Sequence, residues 1–121
     1  MPESEPDRLK LYTQFDDEVR SAVEKSITNL LGSQVLNSLY GFLTQYHDVS
    51  KNDVPYRLEP LFSTLESTFG FNGSRTISRV IAREVYDNMG LKFVGYPDYR
   101  LTDYLNEAKK QLSEERVGTL P

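Results

Sequence analysis

The chain has 121 residues and a formal net charge of −4, from 14 Lys and Arg against 18 Asp and Glu. A chain of this length buries roughly two thirds of the surface its unfolded form exposes, so one hydrophobic core is expected. The absence of cysteine excludes a disulfide framework, a thiolate nucleophile and Cys-ligated zinc, and the acidic balance argues against a surface built to neutralise phosphates.

Glu3, Ser4 and Glu5 lie between Pro2 and Pro6 and carry too little apolar area to offset ordering entropy. Residues 1–14 are therefore expected to form a flexible N-terminal segment. PESEPDR after Met1 lacks the basic region and apolar run of a secretory signal, so export is not expected and the expected setting is the cytoplasm. From Phe15 the apolar residues Val19, Ala22, Val23, Ile27, Leu30 and Leu31 recur at helical steps, with Asp16, Asp17 and Glu18 in the favourable first turn and Gly32 as the stop. Val35, Leu36, Leu39, Phe42, Leu43 and Tyr46 predict a second helix, with Ser33 placed to cap it. The two make a helix hairpin.

His47 to Arg57 collects turn residues, and Pro55 disfavours helix at Val54, so this stretch reads as a loop. Pro60 suits the first turn of a third helix with Leu61, Phe62, Leu65 and Phe69 on its apolar face, closed by Gly70. Phe71 to Ser74 reads as a short turn ending in a capping serine. A fourth helix carries Ile77, Val80, Ile81, Val85 and Met89 and ends at Gly90. Leu91 to Tyr99, with Gly95 and Pro97, breaks the helical period and reads as a connector. Leu101, Tyr104, Leu105, Ala108 and Leu112 mark a fifth helix, and 117–121 a C-terminal tail. The expected architecture is all-α, a compact bundle of four to five helices forming a single domain over 15–116.

Ser26 to Tyr46 contains no Asp, Glu, Lys or Arg, although 26% of the chain is charged. Its length suits a membrane span, but Asn29, Gln34, Asn37 and Gln45 and the dividing Gly32 argue against one. The leading explanation is burial: the two helices pack on each other and the rest of the fold covers them. The competing one is an interface, with Gln34, Asn37, Ser38, Gly41 and Gln45 against a partner protein or a second copy, because interface cores are depleted in charge. Helix, glycine turn, helix also suits a DNA reader, but the second helix supplies no positive charge, which argues against nucleic acid.

The chemistry-bearing residues are sparse. His47 is the single histidine, without cysteine or a second histidine at ligand spacing, and suits a helix C-terminal cation better than a metal ligand. Asp48, Asn52 and Asp53 lack the glycine and alternating oxygens of a calcium loop and read as turn formers. Arg75, Arg79 and Arg83 recur every four residues and make a cationic stripe. With Ser74 and the glycines of GFNGSR it offers an anion or nucleic-acid site at a helix start; the alternative is a solvated face paired with Glu66 or Glu84. Tyr96, Tyr99 and Tyr104, with Phe93, either clamp the last helix to the core or give a partner surface. No serine or threonine has a base-and-orienter set, so no reaction, metal or cofactor is expected.

Leu39-Tyr40, the DVP of Asp53 to Pro55, Phe62, Leu65, Phe69-Gly70, Ile77, Ile81, Val85, Tyr86 and Met89-Gly90-Leu91 fall in an order that resembles a small all-helical output domain. That family, here called the Nitrosopumilus-type output domain, occurs in archaeal signal-transduction proteins, notably of ammonia-oxidising archaea, where it can follow sensor or receiver domains. The resemblance covers about Phe15 to Phe93 and leaves out the fifth helix. It implies a regulatory or interaction module without an assigned activity, expected here to stand alone without a sensor domain. The expected function is therefore non-enzymatic, acting through a helical surface on a protein partner and plausibly as a homo-oligomer.

Overall fold

A computed structural model describes residues 6–118 of the chain and the side chains of 14–113. The elements are α1 (Pro6–Leu31), α2 (Ser33–His47), a short 3-10 helix η1 (Lys51–Tyr56), α3 (Leu58–Asn88) and α4 (Leu101–Gly118). There is no strand among the described residues. A backbone break divides α3 at Gly70, so the described residues form five helical rods and one 3-10 turn.

The apolar stripe of α1 is the centre of the core. Phe15, Val19, Ala22, Val23 and Ile27 are all buried, and α2, η1 and α3 all pack against this helix. Opposite it lie Leu39, Tyr40 and Leu43 of α2, Leu61, Phe62 and Leu65 before the α3 break, and Ile77, Ile81, Val85 and Tyr86 after it. Leu101, Tyr104, Leu105 and Ala108 bury the inner face of α4, which packs on α3. Each buried Val, Leu, Ile or Phe among them contributes roughly 1.5–3 kcal/mol through the water it sheds. The Lys25 ammonium lies 2.6 Å from a Glu84 carboxylate oxygen at the edge of the α1–α3 contact, and this pairing holds the lysine above its ordinary range.

Several elements differ from the sequence reading, each for a local reason. The first helix begins at Pro6, not at Phe15: a proline is tolerated at the first helical position and an acid beside it suits the helix start. Of the flexible segment expected over 1–14, residues 1–5 lie outside the described residues and the remainder is helical. At the other end α4 runs to Gly118, and 119–121 of the expected tail lie outside the described residues.

The stretch expected as a loop contains η1. Its start is closed by a capping box in which the Ser50 N–H and hydroxyl both donate to the Asp53 carboxylate, and Val49 and Val54 are drawn into the core. The third helix begins at Leu58, ahead of Pro60. Gly32, not Ser33, occupies the cap position of α2, and no side chain bonds there.

The turn expected at Phe71 to Ser74 is absent, because one residue makes the whole change of direction. Gly70 has φ 78 and ψ 177, a region essentially reserved for glycine, and helix resumes at Phe71. Ser74 is consequently inside the helix and fully buried, its hydroxyl donating to the Phe71 carbonyl at 3.0 Å. Val80, expected in the core, lies on the outer side of its rod.

A Cβ added to Gly70 meets nothing within 4 Å, so the barrier to substitution is purely conformational. Gly70→Ala is expected to cost about 1–3 kcal/mol, read as a lower urea midpoint at unchanged slope. An unchanged midpoint would show that the break does not need this backbone geometry.

Candidate interaction surface

The uncharged stretch is not covered by the rest of the fold. Between Ser26 and Tyr46 the buried residues are Ser26, Ile27, Leu39, Tyr40 and Leu43. Leu30, Phe42 and Tyr46, all expected in the core, are 47, 43 and 64% exposed. The expected burial of this helix pair is therefore corrected: α2 packs on α1 and α3 along one narrow stripe and turns the rest of its uncharged circumference outward. Gln34, Asn37, Ser38, Gly41 and Gln45 all lie on that exposed side.

Beside this ridge runs a groove of about 380 Å³ between α2 and the first rod of α3. Ile27, Leu31, Val35, Leu39, Phe42 and Phe69 give it apolar walls, and Ser38, Ser63, Ser67 and Thr68 edge it with hydroxyls. No Asp, Glu, Lys or Arg lines it. His47 also lines it, its ring centroid 5.7 Å from that of Phe42, and the Phe42 and Tyr46 rings meet at a tilt with centroids 4.7 Å apart. An apolar hollow edged by neutral hydroxyls and exposed aromatic rings suits shape-driven recognition of another apolar surface. The α3 wall escaped the sequence reading, although it left a signal. Ser63 and Ser67, then Thr64 and Thr68, repeat at four-residue spacing, an uncharged stripe like that of α2.

The arginine stripe is occupied by its own chain. Arg75 donates to the carbonyls of Pro97 at 2.8 Å and Tyr99 at 3.3 Å, and its guanidinium lies over the Phe71 ring at 4.4 Å. Arg83 lies over the Phe93 ring at 5.3 Å, and the side chain of Arg79 passes close to Gly95. The stripe therefore straps the connector 91–100 onto α3. Neither expected acid pairs with it: Glu84 meets Lys25, and Glu66 lies 3.9 Å from Arg100. Ser74 points into the core and offers nothing to an anion.

The aromatic residues complete the strap. The Tyr104 hydroxyl donates to the Tyr96 carbonyl at 3.0 Å and accepts the Tyr96 N–H at 2.9 Å, while the Tyr86 hydroxyl donates to the Tyr104 carbonyl at 2.7 Å. Phe93 packs edge-on against Tyr86, and Tyr99 against Tyr104. At 2% exposure Tyr104 is part of the clamp and no part of a partner surface; Tyr99 is half-buried and Tyr96 exposed. Arg100 was also missed. It stacks on Phe62 at 4.1 Å and reaches Glu59 at 3.2 Å, tying the end of the connector to the first rod of α3.

Among the described residues no cluster of His, Asp and Glu could hold a metal ion, and no helix is long and apolar enough to cross a membrane. Comparison of the chain with protein-family models, curated proteins and solved structures found no match.

Two measurements check the clamp. Tyr104→Phe removes both bonds to Tyr96 and leaves a backbone carbonyl and N–H to find other partners, so it is expected to destabilise the fold by about 1–3 kcal/mol in urea melts. Burial, then the negative charge of Glu107, pushes the Tyr86 phenol up from 10.0 to about 12. Its neutral form is favoured in the folded state, so its contribution is fully present below pH 10 and is lost as pH rises toward 12. Tyr86→Phe should flatten the fall of stability across that window; an identical slope in the variant would remove Tyr86 as its source.

Proposed function

We propose that this chain is a regulatory or protein-interaction domain that works by presenting the α2–α3 groove face to another protein, and that no reaction is part of its role. The observation that carries this reading is the groove of about 380 Å³ with no charged side chain in its lining, in a chain that is 26% charged. Charge depletion at the centre and apolar or aromatic residues beside neutral hydrogen-bonding groups are the composition of an interface core. The arginine stripe does not favour a competing anion or nucleic-acid reading, since Arg75 donates from Nη1 to two connector carbonyls and the Ser74 hydroxyl expected beside it is buried. The resemblance to archaeal signal-transduction output domains accords with a domain that transmits by contact, and a cytoplasmic setting belongs to the same proposal.

A photo-crosslinking amino acid placed at Phe42, at the groove, and separately at Val94, on the connector, tests the reading in native extract. Both positions are exposed, so both report on access. Protein adducts are expected from position 42 and not from position 94. Absence of adducts from 42, or equal yields from both, would defeat the proposal.

A further inference from the structure

In a straight helix the Cβ atoms of residues four apart lie about 5–6 Å from each other. The bend at Gly70 shortens that distance on the side toward which the chain folds. A Cβ built on Gly73 would stand 3.0 Å from the Cβ of Phe69, against about 3.5–4.0 Å for two carbon atoms in comfortable contact. No other glycine from Gly32 to Gly95 is so confined. A Cβ meets nothing within 4 Å at Gly32, Gly41, Gly70 or Gly90, and at Gly95 the nearest atoms are 3.8 Å away. Gly70 thus supplies the torsion of the bend and Gly73 the room inside it.

What Gly73 makes room for is a wall of the groove. Phe69 lines the hollow between α2 and the first rod of α3 and also packs against the core. Its Cβ cannot swing aside as the tip of a long side chain can, so a side chain at 73 would oblige the backbone to yield at one of the two positions. The second rod is fixed just past the bend: Ser74 and Ile77 are buried there, and Arg75 donates to the Pro97 and Tyr99 carbonyls. Phe69 is half-buried at the end of the first rod, so the displacement falls on it.

We infer that Gly73 is a positioning residue of the groove: the lack of a side chain there fixes where Phe69 stands, and the place of Phe69 determines which apolar surfaces the hollow admits. This rests on the reading of the α2–α3 face as the working surface. It adds that the shape of that surface is set from behind, by a residue that lines no part of the hollow.

Three readouts on the whole chain test this. Alanine is favoured over glycine in a helix, so Gly41→Ala, where the added Cβ meets nothing, is expected to raise the urea midpoint by roughly 0.3–1 M. Gly73→Ala should leave the midpoint unraised or lower it, because the contact with Phe69 cancels the gain. The methyl resonances of Leu31, Val35 and Leu65, which share the hollow with Phe69, are expected to shift in Gly73→Ala, while those of Val49 and Val54, buried outside the hollow, stay in place. Photo-crosslinks from position 42 in native extract should be lost with Gly73→Ala, and also with Phe69→Leu, which shortens the wall without adding a Cβ at 73. A midpoint raised as in Gly41→Ala overturns the inference, as do groove methyls that move no further than those of Val49 and Val54. So does a full adduct yield from either variant. If the chain with Gly73 and Phe69 intact yields no adducts, the interaction reading fails, while the midpoint and the methyls decide separately whether Gly73 places Phe69.

Discussion

The constraint on which this structure depends is that one stripe of one helix must be covered from several sides. Phe15, Val19, Ala22, Val23 and Ile27 make α1 the centre of the core, and α2, η1 and α3 all lie against it. No single rod can shield such a stripe from water, so the fold is obliged to wrap it. This explains why a segment rich in turn residues folds inward as η1 and delivers Val49 and Val54 to the core. It also explains why α3 must change direction: a straight rod of 31 residues could not pack both halves against the same short body.

Surfaces left over from that wrapping divide into two chemical kinds. Around the connector, arginine and tyrosine side chains are spent on backbone carbonyls and on each other's rings, so a region that looks reactive in sequence is internally engaged. Around α2 the reverse holds. A region that looks like core in sequence is turned outward, with its polar groups uncharged and its aromatic rings unfinished. The distinction matters for function because unspent surface is what another molecule can use, and around α2 it is neutral and apolar.

Much of the fold was legible because helical periodicity reports burial directly. The steps through Val19, Val23 and Ile27, and through Ile77, Ile81 and Val85, located both central rods, and the Leu101, Tyr104, Leu105 and Ala108 steps located the last one. Periodicity failed where hydrophobicity and burial part company. Phe42 and Tyr46 continue the apolar pattern of α2 past the width its neighbours can cover, and no composition rule states that width. The arginine stripe was visible at once, but its partners are main-chain carbonyls, which every residue carries and which no side-chain pattern announces. Gln34, Asn37, Ser38, Gly41 and Gln45 stand out in the sequence by their lack of charge, and the structure exposes them where the leading expectation was burial. The opposite wall of the groove stayed unseen because it becomes a wall only when two rods distant in sequence come side by side.

The bend at Gly70 joins two unlike halves of α3. The first rod, 58–69, lends Ser63, Ser67 and Phe69 to the groove, while the second, 71–88, bears the guanidinium and phenol groups that hold down the connector. Between them there is a single residue whose torsion is not braced by side-chain contacts of its own. The width of the hollow and the seating of the final helix therefore hang from the same articulation, like two levers on one pin.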